Sequence, residues 1–168
     1  MIFLTVGSMF TFDRLVRAVD EAAGRAAVFD EVFAQVGIGG YRPRNMKFAE
    51  TLEREVYREY VAKSKAMIGH AGMGTILMAL DAGRPLLVMP RLKRFGEIVN
   101  DHQVATAERF ASNGYVLEAA DERQIEAKLA QLKTFVPRAR KANPAPVVAR
   151  VSAALDEIAA KRRARGRE

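Results

Sequence analysis

The sequence predicts an α/β fold with a mostly parallel sheet. Short apolar runs rich in β-branched residues alternate with longer stretches of helical periodicity along the chain. The first of these runs, Ile2 to Val6, is continuous, as expected of a strand buried on both faces. One run also leads through a Gly-rich turn, Gly69 to Thr75, straight into a helical stretch.

Ile2 to Val6 reads as the first strand. The Gly7–Thr11 loop follows it, then a helix with Phe12, Leu15, Val16 and Val19 on one face. Glu31 to Val36 is the second strand, and Gly37 to Asn45 is too Gly-rich and polar for regular structure. Glu50 to Lys63 is a helix carrying Leu52, Val56, Tyr60 and Val61. Lys65 to Ile68 is the third strand, Ile76 to Ala82 the helix after the Gly turn, and Pro85 to Met89 the fourth strand. A loop rich in Arg and Lys spans Pro90 to Val99; its Arg91, Lys93 and Arg94 could pair with a diphosphate, and the default reading is a solvated basic loop. Asn100 with Gln103 reads as a capping box opening a helix over 101–112, which Asn113-Gly114 ends. Tyr115 to Glu118 is a short fifth strand. Asp121 with Gln124 caps a helix bearing Ile125, Leu129 and Leu132. Pro137, Pro144 and Pro146 mark a linker to a last helix with Val147, Val148, Val151, Leu155 and Ile158.

Composition sets bounds. At 168 residues with 49% apolar content, the chain makes one domain with a real core, or one such domain with an appendage. The expected layout is a domain over 1–135, a linker and helix of the same domain over 136–160, and a basic tail over 161–168. The absence of Cys excludes disulfides, thiolate metal sites and a Cys nucleophile. The two histidines lie far apart and no carboxylate cluster has ligand spacing, so no metal site is expected. The N-terminus lacks the pattern of a signal peptide, and no run is long enough to span a bilayer. The net charge of +7 is uneven, with five basic residues against Glu168 in the last eight positions. No nucleic-acid motif accompanies it.

Two clusters carry candidate chemistry. The first is the 69–75 turn, where glycines allow close backbone approach and a helix start offers unpaired N–H groups to an anion. Spacing alone suits an anion site and close packing of the helix on the sheet equally. His70 is either a buried, satisfied histidine or a donor to a phosphate. The second cluster is Glu97, Asn100, Asp101, His102 and Gln103. Helix capping explains part of it. Its mixture of donors and acceptors also suits sugar hydroxyls. Ser8, after the first strand, lies at the same end of the sheet.

An ordered series of motifs completes the reading: Met1 to Ser8 with Phe12 to Val16, Gln35-Val36-Gly37, His70 to Ile76, Gly83 to Arg91, Gly96-Glu97 and Asn100 to Gln103. Over residues 1 to 135 it resembles the C-terminal domain of glycosyltransferase family 28. It looks most like the stand-alone small subunits of split enzymes, namely exopolysaccharide glucuronosyltransferase subunits of the PssE type and the eukaryotic UDP-N-acetylglucosamine transferase catalytic subunit. The resemblance implies the Rossmann-like, donor-holding half of a GT-B fold. It implies a UDP-sugar as substrate with no cofactor, a polyprenyl-diphosphate-linked acceptor, inversion at the anomeric carbon, and a membrane-anchored, PssD-like partner at the cytoplasmic membrane face. It assigns Gly7, Ser8, His70, Gly72, Gly74, Thr75, Glu97, Asn100 and Gln103 to the donor. Asp101, His102 and Gln103 would meet the sugar, and Asp101 and His102 are the candidates for catalysis. The position matching the family's ribose-binding Glu is Met78, and PssE-type chains commonly have His where this one has Ile98. The rival expectation is a non-catalytic, donor-binding or activating subunit of a partner transferase.

Overall fold

The computed structural model describes residues 1–139 and 144–165, with side chains for 1–139, 144–159 and 161. Six parallel strands form one sheet in the order β3-β2-β1-β4-β5-β6. They are β1 (Ile2–Thr5), β2 (Val32–Gln35), β3 (Lys47–Ala49), β4 (Ala66–His70), β5 (Leu86–Met89) and β6 (Leu117–Glu118). The helices are α1 (Asp13–Gly24), α2 (Arg54–Lys63), α3 (Met73–Asp81), α4 (His102–Ser112), α5 (Ile125–Leu132) and α6 (Ala145–Arg165). Single 3-10 turns occupy Lys93–Phe95 and Glu122–Gln124.

Alternation along β1 divides the core. Ile2 and Leu4 face one layer with α1 and α5, through Leu15, Val16, Val19, Ile125 and Leu129. Phe3 faces the other with Met67, Val61, Ile76 and Ala107. Both faces of the sheet are therefore covered, which is why the central strands β1, β4 and β5 are so largely apolar. Phe3 also stacks on Tyr60, which in turn stacks on Phe33 at 4.1 Å between ring centroids.

Several boundaries differ from the sequence reading. β3 is an extra strand of three residues at the sheet edge, paired with β2. It is too short, and too close to the Gly/Pro/Arg segment, to show a period. β4 extends through Gly69 and His70, so His70 ends a strand. α3 begins at Met73, which puts Gly74 and Thr75 inside its first turn. α2 begins at Arg54. Before it, the Glu50 carbonyl accepts from Gly37 N–H and from Gln35 Nε2.

The capping box at 100–103 is also overturned. Asp101 holds the N-cap position of α4 without a side-chain cap bond. Gln103 turns inward, away from the Asn100 backbone, because it has buried partners there. Asp121 does cap its helical turn, accepting from Arg123 N–H at 3.1 Å, while Gln124 Oε1 accepts from Ala120 N–H at 3.0 Å.

The C-terminal helix runs from Ala145 with Pro146 in its first turn, where its missing N–H costs nothing. Val147, Val148, Val151, Leu155 and Ile158 are all exposed. Part of the expected linker, 140–143, lies outside the described residues, as do 166–168 and the side chains of 162–165 in the basic tail.

Candidate functional site

The strand order reverses direction of winding between β1 and β4. The carboxyl ends of two such strands, with their loops leading to opposite faces, leave a crevice where doubly wound sheets take ligands. Here β1 delivers the Gly7–Phe12 loop, and β4 delivers His70 and the start of α3.

Gly7 is pinned in place. It sits at φ +78°, its N–H donates to Thr5 Oγ1 at 3.2 Å, and its carbonyl accepts from Gln35 Nε2 at 3.1 Å. Thr5 Oγ1 in turn donates to Gln35 Oε1 at 2.8 Å. A Cβ at Gly7 would come within 2.7 Å of His70 Nε2, and one at Gly72 within 2.1 Å of His70 Cε1. The two glycines thus make the slot that holds the imidazole. Gly69 similarly leaves room for Thr75, whose Cγ2 would lie 3.0 Å from a Cβ there. Gly74 is different: a Cβ there would meet nothing within 4 Å, so the first turn of α3 opens onto free space. Gly72 caps that helix with no side-chain bond, leaving its first N–H groups outside the intrahelical ladder.

His70 links the two loops. Its Nε2 lies 3.2 Å from Thr75 Oγ1, and its Nδ1 lies 3.3 Å from Gln103 Nε2. Burial, reinforced by the nearby Arg91 guanidinium, pushes its pKa down to about 4, so the ring is neutral near pH 7. Gln103 Oε1 accepts from Arg91 N–H at 3.2 Å.

Arg91 departs from the expected solvated basic loop. Lys93 and Arg94 are exposed, but Arg91 is only 3% exposed. Its Nη2 donates to the carbonyls of Val6 (2.8 Å), Phe10 (2.7 Å) and Thr11 (3.3 Å), fastening the β1–α1 loop from the end of β5. Its Nε has no hydrogen-bond partner among the described residues. Burial lowers its pKa to about 10, against a smaller opposing pull from Glu97, and the guanidinium still carries its charge at neutral pH.

The second cluster is divided between buried and exposed positions. Both Glu97 oxygens are engaged within the protein: Oε1 by Arg14 Nε at 2.9 Å, and Oε2 by Arg14 Nη2 at 3.0 Å and Leu92 N–H at 2.9 Å. Asp101 Oδ1 accepts from Lys93 N–H at 2.7 Å on the exposed side. Asn100 Oδ1 accepts from both His102 N–H and His102 Nδ1, which leaves Nε2 of the exposed His102 with its lone pair free. Ser8 is exposed beside Gly7.

Sequence reasoning placed His70 and Gln103 in separate clusters, and the structure joins them. It missed Arg91 as a loop fastener and Arg14 as the partner of Glu97. Contacts 83 and 85 residues apart leave no periodic signal to find. A cleft of about 370 Å³ lies between the loop after β1 with the start of α1 and the loop after β5, lined by Phe10, Thr11, Asp13, Arg14, Phe95, Gly96 and Glu97. Among the described residues, no group of three or more His, Asp or Glu side chains is placed to hold a metal ion.

The model of the glycosyltransferase family 28 C-terminal domain matches residues 1–158. The chain belongs to this family. Among curated relatives, the human UDP-N-acetylglucosamine transferase subunit ALG13 is 28% identical over 125 residues, covering 68% of this chain and 10% of the relative. The subunit of the same name from Cryptococcus neoformans is 36% identical over 86 residues, covering 50% of this chain and 40% of the relative. The chain therefore spans much less than two thirds of these relatives. A solution structure of ALG13 is similar with a TM-score of 0.58 and 22% identity, covering 86% of this chain and 91% of that one. Os79 from O. sativa in complex with UDP superposes with a TM-score of 0.59 at 14% identity, over 80% of this chain and 32% of that one. These likenesses establish the GT-B C-terminal fold for this family 28 domain.

Proposed function

We propose that this chain is the donor-binding, catalytic subunit of a split glycosyltransferase. It moves a sugar from a UDP-sugar to a polyprenyl-diphosphate-linked acceptor brought by a membrane-anchored, PssD-like partner at the cytoplasmic membrane face. Within that reading the product is an exopolysaccharide precursor, and the resemblance to PssE-type subunits makes UDP-glucuronic acid the first donor to test. The observation that carries the reading is the open start of α3 at the β1/β4 crevice, with unfilled space over Gly74 and the buried Arg91 cation close by.

In this arrangement the amides of the first turn of α3 take the diphosphate and stabilise the departing UDP, with no metal required. Asp101 and His102 are exposed at the start of α4 and face the sugar and the acceptor. The free Nε2 of His102 has the lone pair that a general base needs to accept the acceptor hydroxyl proton. Inversion follows from attack opposite the leaving diphosphate.

Crystals of the chain soaked in UDP should show the diphosphate against Gly74 and Thr75. Nucleotide bound in the cleft between Phe10 and Phe95, or nowhere at millimolar concentration, overturns the site. In the reconstituted pair, His102→Ala and Asp101→Asn should abolish most turnover and leave donor binding intact. Loss of assembly alone in these variants would favour the accessory role instead.

A further inference from the structure

The family motif assigns Glu97 to the donor, but its carboxylate is already engaged. It accepts three hydrogen bonds, two from the Arg14 fork and one from Leu92 N–H. Arg14 is equally committed. Its remaining donors reach Pro90 O at 3.1 Å, Met89 Sδ at 3.8 Å and Glu122 Oε2 at 2.9 Å, which fills the five N–H positions of a guanidinium. The Arg14 and Glu97 side chains are 13% and 10% exposed, so little of the pair is open to a ligand. Their bidentate contact is strong and specific in geometry. It ties α1 to the loop after β5. Arg91 makes the reverse tie, from the end of β5 to the carbonyls of the β1–α1 loop. One buried ring joins the two ties. The Phe12 centroid lies 5.4 Å from Arg14 Cζ and 5.2 Å from Arg91 Cζ, within reach of cation–π attraction. Arg91 makes no ion pair among the described residues, and Glu97 is the carboxylate whose charge acts on it.

We propose that Glu97 is a positioning residue and not a donor contact: through Arg14 and Phe12 it holds the Gly7–Thr11 loop and the loop after β5 as one body. This rests on the donor-site reading and deepens it, because Ser8 lies on the first loop and Asp101 and His102 follow the second. Without the Glu97 charge, Arg14 loses its fork partner and the two guanidinium charges meeting at Phe12 are less compensated. The β1–α1 loop then loosens, although Glu97 makes no hydrogen bond to it. The same strap sets the width of the 370 Å³ cleft, whose walls Phe10 and Phe95 come one from each loop.

Backbone nitrogen relaxation on the full chain without ligand tests the coupling. Amides of Ser8 to Thr11 should have order parameters near about 0.85 in the wild type and below about 0.6 in Glu97→Gln. Glu122→Gln removes the other carboxylate from Arg14 but lies on neither loop, and should leave them rigid. Amides of α2 should keep wild-type values throughout, which separates local loosening from failed folding. Should Glu97→Gln not fold, Arg14→Lys, which keeps the charge and loses the fork, should show the same loosening. Adding Arg14→Gln to Glu97→Gln should make the loop no looser than either change alone, because the pair acts as a unit. UDP titration of the chain and turnover of the reconstituted pair test the role. Glu97→Gln should keep UDP affinity within about threefold and lower kcat by roughly 10–100-fold, as misplacement by about an ångström does. Rigid Ser8–Thr11 amides in Glu97→Gln overturn the proposal. So does a loss of UDP affinity of about tenfold with kcat kept, which would make Glu97 a donor contact. If the wild type binds no UDP at millimolar levels, the donor-site reading falls, while the relaxation result still decides the coupling.

Discussion

His70 owes its chemistry to two residues that lack side chains. Gly7 and Gly72 leave the space the ring occupies, and the ring is largely buried there. Its pKa then falls from 6.5 to about 4 through desolvation, with the Arg91 charge adding to the effect and the Gln103 bond opposing it. The consequence for stability has a definite sign. Between pH 6.5 and 4 the unfolded chain binds a proton at this site and the folded chain does not. Stability is therefore intact above pH 6.5 and is lost as pH falls toward 4. The contribution is on the order of 3 kcal/mol. Denaturant unfolding followed from pH 7.5 down to pH 4 should show this slope, and His70→Asn should flatten it. An unchanged slope in the variant would mean that His70 already titrates normally in the folded protein.

At the scale of elements, the start of α3 separates two uses of glycine. Gly72 lies against the His70 ring, whereas Gly74 faces empty space. Gly72→Ala should dislodge the ring and lower the unfolding midpoint. Gly74→Ala meets no steric barrier and removes backbone freedom from a helix, so it should stabilise by roughly 0.5–1 kcal/mol. It also places a methyl where the diphosphate would approach. The expected result is a protein that melts higher and binds UDP less tightly, read by calorimetry on the same preparation. A gain in stability with unaltered UDP affinity would place the ligand elsewhere. The loop after β5 works in a related way. Arg91 holds the β1–α1 loop by three carbonyls, and Arg14 on α1 holds Glu97 with a bidentate pair. Two cations thus lock the loops around the crevice, and Arg91 turns inward where a solvated basic loop was expected.

At the scale of the whole molecule, the carboxyl edge of the sheet is unusually apolar. Outside α6, nine large hydrophobic side chains are exposed among the described residues. Met9, Phe10, Ile38, Met73, Phe95 and Val99 lie on the loops and helix starts that follow β1, β2, β4 and β5. Exposed apolar side chains gathered at one edge suit contact with another polypeptide, which is where the proposed partner would close the cleft. Met9→Ser with Val99→Ser should change unfolding free energy by no more than about 0.5 kcal/mol each, yet weaken capture of the co-expressed acceptor-binding subunit. Undiminished capture would move that interface to another face.

Much of this was legible in the sequence. The continuous apolar strand at 2–6, the mostly apolar runs at 31–36 and 85–89 and the helical stripe from Phe12 to Val19 report local burial, and local burial follows directly from residue order. The extra strand at Lys47–Ala49 was not legible, since three edge residues establish no period. Neither was the inward turn of Gln103, because a capping residue and a buried amide look identical until a partner arrives from another strand.

The sequence by itself determined the parallel α/β architecture, the glycine turn before α3 and the family 28 motifs that run in order along the chain. All of these are set by nearest neighbours and by the period of hydrophobicity. Only the tertiary structure decided that His70 meets Gln103, that Arg91 is buried beneath the first loop, and that Glu97 is committed to Arg14. Those pairings join residues from 33 to 85 positions apart. The order of strands in the sheet makes them neighbours, and that order is a property of the folded layers.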